Sequence, residues 1–357
     1  MADFVHLHLH SQYSLLDGAI HLKKLFPAIK SMGMDSVALT DHGYMSGTLD
    51  FSLRALGEKI QPVLCCENYV ARGSRLEKEN RDNYHLVLLA KNQRGLANLQ
   101  YLVSMASLDG FYYSPRIDHD LLREHSAGLI GLSACLGGEI PRTYFASGYD
   151  AARDMARKYA GTFEEGCFYL ELQRNKLAEQ EEVNDVLIRI SRETGIPLVA
   201  TNDCHYLKRE DARSQEILMA ISQRKRLTDE GRLKHEFDEF YLKSPEEMKE
   251  AFAAVPEAIE NTVRIAAACQ VEIPNNKTAK KPVYFLPDFP TPEGIDQNEW
   301  LRREAACGLR RRFEEIERRN DYPIDRAVYE ARLELELDVI IGMGFAGYFL
   351  IDRKSVV

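Results

Sequence analysis

In the stretch FVHLHLHS (residues 4–11), His6, His8 and His10 alternate with Val5, Leu7 and Leu9, which puts three imidazoles on one face of an extended segment. Neighbours on such a face stand about 6.7 Å apart, close enough for two imidazoles to meet on one metal ion at about 2.0–2.1 Å each. Three span about 13 Å and exceed the reach of one ion. Either two metals sit there or one histidine is no ligand. His6 lies deepest in the segment and is assigned to a hydrogen-bonded core position, which leaves His8 and His10 as the ligand pair. An unpartnered buried imidazole is costly, and two adjacent ones compound the cost.

Groups of the same chemistry recur along the chain. TDHG (40–43) ends an apolar run and offers His42, with Asp41 as a carboxylate that holds the surroundings in place. ATNDCHY (200–206) offers Asp203 and His205 at ligand spacing. Glu67 ends the interior run VLCCE, where a carboxylate needs a cation or several donors. His85 opens HLVLLA. Each alone also reads as a structural ion pair or a solvated loop residue. Together they supply the mixture of imidazole and carboxylate that suits zinc, manganese or iron. Five or more such groups are more than one ion uses, which implies two or three.

Short apolar or alternating runs at 4–10, 36–42, 62–70, 85–90, 128–135, 167–172 and 197–206 read as seven strands. Segments 20–32, 46–58, 92–107, 150–162 and 178–194 carry helical spacing, as in the Leu96, Leu99, Leu102, Val103 stripe. The alternation predicts an α/β fold with a parallel sheet. His10, His42, Glu67, Cys135, Asp203 and His205 collect at the C-terminal ends of strands. Those ends converge on one mouth in a closed barrel, whereas an open sheet spreads them along a line. From about 236 the pattern turns helical, and Ser244 with Glu247 forms a capping-box signature. The Pro-, Lys- and Asn-rich stretch 274–294 reads as a linker, and 296–342 as charged amphipathic helices.

The chain has 357 residues, ample for a buried core, and a formal net charge of −9. That charge argues against field-driven nucleic-acid binding by the chain as a whole and leaves room for a local basic groove. Seven cysteines without a CxxC pair favour reduced thiols in a cytosol. MADFVHLHLH lacks the basic and apolar regions of a leader, and the longest mostly apolar run, 339–351, is shorter than the roughly 20 residues a membrane span needs.

HLHS, TDHG, CCE, YHL, SAC and NDCHY, in this order and spacing, resemble the polymerase and histidinol phosphatase (PHP) superfamily. SLLDGAI, GFYYSPRID, LSACLGGEIP, GIPLVATNDCHYL, EFYLKSPEEM and MGFAGYFLI extend the resemblance, from residue 4 to about 351, to the N-terminal part of the bacterial DNA polymerase III alpha-subunit family. The resemblance implies a distorted (β/α)7 PHP barrel over 1–275, then a linker and the truncated, mainly helical start of a polymerase palm over 276–357. It implies nine metal ligands: His8, His10, Asp17, His42, Glu67, His85, Cys135, Asp203 and His205. Asp17 and Cys135 enter only this way, since on their own they read as a turn residue and a small core thiol. The ions would be two or three divalent metals (zinc, manganese or iron, with magnesium a further candidate), and the chemistry phosphoester hydrolysis.

The same resemblance implies a 3′–5′ proofreading exonuclease acting on the 3′ end of DNA. The whole protein would be a DNA-directed DNA polymerase in the cytoplasm, with primer–template DNA, a sliding clamp and a proofreading subunit as partners and no membrane. The polymerase carboxylates lie beyond the last residue, so this chain is expected not to synthesise DNA and to expose apolar surface near its end. Phe111, Tyr112, Tyr113 and Arg116 are expected either to wall the strand end or simply to pack a loop. The basic runs 223–226, 277–281 and 309–312 read as solvated faces or phosphate contacts. A scaffold that binds metal without turnover, and a small-molecule phosphatase of the histidinol phosphate type, are the alternatives.

Overall fold

One sheet contains seven strands: β1 (Ser36–Leu39), β2 (Gln61–Ala71), β3 (Asn83–Ala90), β4 (Arg116–Ile117), β5 (Leu129–Leu132), β6 (Phe168–Gln173) and β7 (Leu198–Thr201). The computed structural model describes residues 3–273, 287–319 and 322–352. The strand order is β1-β2-β3-β5-β6-β7, with the two-residue β4 beside β2. Pairing is parallel at β1–β2, β5–β6 and β6–β7.

β3 departs from the expected parallel arrangement and runs antiparallel to both β2 and β5. Residues 72–82 join β2 to β3 without a helix, and a parallel return would need a crossover of a dozen or more residues. The reversal distorts the barrel and has a functional consequence. It brings the start of β3, where His85 sits, to the rim where the parallel strands end.

The first expected strand, 4–10, is an extended segment rather than a regular strand. It bonds to both edges of the sheet. The Ala38 and Thr40 amides donate to the His6 and Leu9 carbonyls, the His10 amide to Cys204 and the Cys204 amide to His8, all at 2.8–3.1 Å. Its ladder is broken because the Val5 and Leu9 amides donate instead to the side-chain hydroxyls of Thr262 and Thr40. The segment thus closes the curled sheet, and Phe4, Leu7 and Leu9 are fully buried in the same core as Val37, Val63, Leu88, Leu170 and Val199.

The five expected helices form at Leu22–Ser31, Thr48–Gly57, Gln93–Leu108, Tyr149–Ala160 and Ala178–Thr194. The 93–108 helix is capped by Asn92 and buries Leu96, Leu99 and Leu102. Ser244 and Glu247 make the reciprocal capping box at Pro245–Ala251. Short helices at His119–Glu124 and Glu139–Ser147 were not legible as periodic runs.

The chain divides into Met1–Ile273 and Pro274–Val357. In the second unit, helices Gln297–Arg319, Arg326–Gly342 and Ala346–Asp352 gather Leu301, Leu337, Ala346 and Leu350 into a small core. Leu335, Val339, Met343, Tyr348 and Phe349 on this unit are exposed. The basic run 277–281 lies outside the described residues, as does most of the expected linker. No helix among the described residues is long and apolar enough to cross a membrane.

Candidate metal centre

The rim collects polar residues from seven segments. His8 and His10 come from the closing segment, Asp17 from the turn after it, and His42 from just beyond β1. Glu67 and His85 come from β2 and β3, Cys135 from beyond β5, and Asp203 with His205 from beyond β7. Three of these turns carry a non-glycine residue in the left-handed region: Leu16 (φ 62°) before Asp17, Ala134 (φ 61°) before Cys135, and Asp203 itself (φ 52°). Such conformations cost about 1–3 kcal/mol each and persist where the surroundings impose them. Gly18 is required beside Asp17, because a Cβ there would stand 2.1 Å from the Ser11 carbonyl oxygen.

The nine expected residues form one continuous network. His8 Nε2 and His10 Nε2 each lie 3.2 Å from Asp203 Oδ1. They lie 3.5 and 3.7 Å from the two Glu67 oxygens. Glu67 reaches His42 Nδ1 at 2.5 Å and His85 Nδ1 at 2.9 Å. Asp17 Oδ2 bridges His42 Nε2 (2.7 Å) and His205 Nε2 (3.0 Å). Cys135 Sγ is 3.7 Å from His85 Nδ1. Three subsets bring their ligand atoms within 4.8 Å of one another: His8–His10–Asp203, His10–His42–His205 and Glu67–His85–Cys135.

This geometry fits cations. His8 Nε2, His10 Nε2, His42 Nδ1, Glu67 Oε2 and Asp203 Oδ1 are buried, make no well-aligned hydrogen bond and meet one another and the rest of the cluster at 2.5–3.7 Å. Buried polar atoms without such bonds are rare and expensive. Here five of them face one another, and a divalent ion is the species that imidazole lone pairs and carboxylate oxygens satisfy together.

The outer contacts fix which ring nitrogens face inward. His8 Nδ1 lies 2.6 Å from Glu171 Oε1, which also accepts from Thr201 Oγ1 and Gln173 Nε2. His10 Nδ1 lies 3.1 Å from Ser14 Oγ, and that hydroxyl donates to Asp41 Oδ1 at 2.8 Å. His205 Nδ1 lies 2.8 Å from the Asp203 carbonyl oxygen. With Nδ1–H donating outward in each, Nε2 is left as the inward lone pair, the arrangement typical of metal-binding histidines. Asp41 also holds Ser11 through its amide and hydroxyl.

Glu171 is the residue that sequence reading missed. It stands fully buried in the run FYLELQ, and the reasoning applied to Glu67, that an interior carboxylate needs a cation or donors, would have found it.

Until a cation enters this cluster, protonated imidazoles serve as the positive partners of the carboxylates, and metal binding would displace those protons. Burial would raise Asp203, but His8 and His205 outweigh it and hold its carboxyl far below the usual range. Glu67 is held well below its ordinary value against burial by His85 and His42, and Asp17 by His205 and His42. Burial, with His42 and His205 alongside, pushes His10 down to about 3, so its ring is neutral. Burial raises the Cys135 thiol well above its ordinary value.

The remaining expectations can be placed one by one. His6 is a core residue: fully buried, its Nε2 meets the Lys243 carbonyl at 2.8 Å, and it joins none of the three ligand groups. Arg116 cannot contact a strand. It is buried, and its guanidinium donates to the carbonyls of Gly110, Asn80, Arg75 and Glu77, holding the 72–82 connection. Phe111 and Tyr113 are exposed. In the run 223–226, Lys225 is engaged by the Gly231 carbonyl. In the run 309–312, Arg312 pairs with Glu315. All seven cysteines are unbridged.

Comparison with known proteins shows what the chain as a whole is similar to. Residues 6–175 match the PHP domain. The chain is 45% identical over 369 residues to the DNA polymerase III subunit alpha of Helicobacter pylori, covering 98% of this chain and 30% of that one. It is 44% identical to its counterpart from Borreliella burgdorferi, again over 98% of this chain and 30% of the relative. The chain therefore spans about 30% of the length of these relatives. Among solved structures, one described as a metal-dependent phosphoesterase from Bifidobacterium adolescentis aligns with a TM-score of 0.37 and 12% identity, covering 56% of this chain and 87% of that one. Residues 6–175 are thus similar to a PHP domain, and nearly the whole chain is similar to about 30% of the length of the DNA polymerase III alpha subunits.

Proposed function

We propose that His8, His10, Asp17, His42, Glu67, His85, Cys135, Asp203 and His205 hold two or three divalent ions and that the centre hydrolyses the terminal phosphodiester at the 3′ end of a DNA strand. The observation that carries this reading is the set of five buried imidazole nitrogens and carboxylate oxygens that crowd together without a well-aligned hydrogen bond. Divalent ions supply Lewis acidity and a water nucleophile available near neutral pH. Zinc, manganese and iron suit the donors, and magnesium, which prefers all-oxygen surroundings, suits them less.

The chain's own residues orient and insulate the centre. Glu171 and the Ser14–Asp41 pair hold the His8 and His10 rings in register. Tyr69 stacks on His42 with ring centroids 6.1 Å apart. The whole protein is then a replicative DNA-directed DNA polymerase in the cytoplasm. Residues 1–275 form its PHP domain and 276–357 the linker and the start of its palm. Primer–template DNA, a sliding clamp and a proofreading subunit are its partners. Polymerisation itself is assigned to parts of the relatives that this chain does not span.

The test is nucleotide release from single-stranded and 3′-mismatched DNA, with manganese or zinc, by the wild type and Asp203→Asn. Release by the wild type and its loss in a folded variant that binds fewer ions supports the hydrolase. Ions bound without release from any DNA support the scaffold reading instead. Turnover of a small phosphate monoester alone supports the phosphatase.

A further inference from the structure

Beside the metal-ligand cluster lies a cleft of about 740 Å³, within the range of roughly 300–1,000 Å³ typical of ligand sites. None of the nine residues lines it, but some of its lining residues adjoin them. Leu136, which follows Cys135, lines one wall, and His235 on another packs against His205 with ring centroids 6.1 Å apart. Two aromatic side chains stand open at the cleft, Phe145 at 50% and Phe237 at 39% exposure. Arg142 and Lys234 also line it, and neither side chain has an ion-pair or hydrogen-bond partner among the described residues.

Glu179 and Glu236 share the lining, so the cleft is not a well of positive potential. Its occupant must be held by contacts to individual groups. Exposed aromatic faces stack on bases that are not already stacked in a duplex. Isolated cations take single phosphates, and the two carboxylates disfavour a second phosphate backbone alongside.

Building on the exonuclease reading, we propose that this cleft seats the unpaired nucleotide next to the scissile linkage of a single DNA strand. Its base lies on Phe145 or Phe237, and its phosphate on Arg142, Lys234 and His235. The terminal linkage itself then lies outside the cleft, at the ligand cluster. This replaces the Phe111–Arg116 loop as the wall for the strand, since Arg116 is committed to backbone carbonyls.

Binding is read apart from turnover, by fluorescence anisotropy with an oligodeoxythymidylate whose 3′ linkages are phosphorothioates. Phe145→Ala/Phe237→Ala is expected to weaken binding by roughly 5- to 150-fold, the loss of one stacked base. Arg142→Ala/Lys234→Ala is expected to weaken it and to lower the slope of log K against log salt by about 0.7, the loss of one phosphate contact. Phe111→Ala/Tyr113→Ala is expected to bind like the wild type. All six positions are on the surface, and matching circular dichroism melts establish that the variants fold.

The proposal is overturned if both cleft variants bind like the wild type, if the Phe111/Tyr113 variant is the one that weakens, or if a blunt duplex binds as tightly as the single strand. Strand binding through the cleft with no release from unmodified DNA keeps this proposal and removes the exonuclease. Cleavage unaffected by the cleft variants, with unchanged affinity, removes this proposal alone.

Discussion

Glu171→Gln is the sharpest probe of the centre, because it changes charge and leaves shape nearly intact. Glu171 Oε1 is the acceptor for His8 Nδ1 at 2.6 Å and for Gln173 Nε2 at 3.1 Å, and it also takes the Thr201 hydroxyl. A glutamine oxygen can accept from all three. The negative charge behind the imidazole is lost, however, and an amide nitrogen then occupies the place of Oε2, which is buried without a partner. Loss of such a carboxylate behind a ligating histidine weakens metal binding by about 10- to 100-fold, or roughly 1.4–2.8 kcal/mol. Competition with a chromogenic chelator, with elemental analysis at each step, should show one ion leaving early. That ion is the one held by His8, His10 and Asp203, while the Glu67–His85–Cys135 group keeps its own. Nuclease activity should return when free metal is raised by the same factor. Retention of every ion at wild-type affinity would refute the role given to Glu171, and so would a loss of activity that added metal does not restore.

Chelation should lower the melting temperature by about 5–10 °C, because saturation at 100 times the Kd adds about 2.7 kcal/mol and a domain of this size shifts by about 2–4 °C per kcal/mol. An unchanged melt would mean that no ion is held. Glu239 meets Arg209, Lys176 and Lys243 at 2.5–3.1 Å. Against burial, these cations hold its carboxyl at about 2, below the ordinary 4.5. Such a depressed carboxylate stabilises the fold above pH 4.5, and the gain is lost as pH falls from 4.5 toward 2. Glu239→Gln should therefore cost about 2 kcal/mol at pH 7, allowing for solvent around Arg209 and Lys176, and the gap in urea unfolding should narrow by pH 3. Arg116→Lys should cost about 2–4 kcal/mol by urea unfolding, since an ammonium cannot serve the four carbonyls that the guanidinium holds. A cost near zero would mean that these four bonds do not hold the 72–82 connection.

What was legible in the sequence followed from side-chain periodicity. His8 and His10 could be separated from His6 by reach together with depth in the segment, and the five helices between the strands by their apolar stripes. What was not legible depended on backbone groups and on chain reversal. The closing segment reads as a strand, but Thr262 and Thr40 hydroxyls take two of its amides, and no local pattern reveals such a partner at position 262. β3 reads as one more parallel strand until the absence of a helix in 72–82 is taken seriously. Asp17 and Cys135 sit in turns fixed by left-handed Leu16 and Ala134. Neither residue type predicts that conformation, so their part in the site came from family resemblance and not from spacing.

The reversal of β3 and the broken ladder of the closing segment bear on the same point. In an all-parallel barrel, the start of β3 would lie at the opposite end from the mouth, and a histidine there could not meet Glu67. Running backwards, β3 sets His85 against Glu67 at 2.9 Å. The closing segment spends two amides on hydroxyls and so holds the seam with fewer backbone bonds than a full strand would make. Its His8 and His10 face Asp203 from across that seam. An ion shared by these three side chains would cross-link the seam as well as serve the reaction, and metal affinity would then be part of the folding free energy. Stability and turnover would share the same ligands, which is why a variant that acts from behind them, at Glu171, separates the two better than removing any ligand.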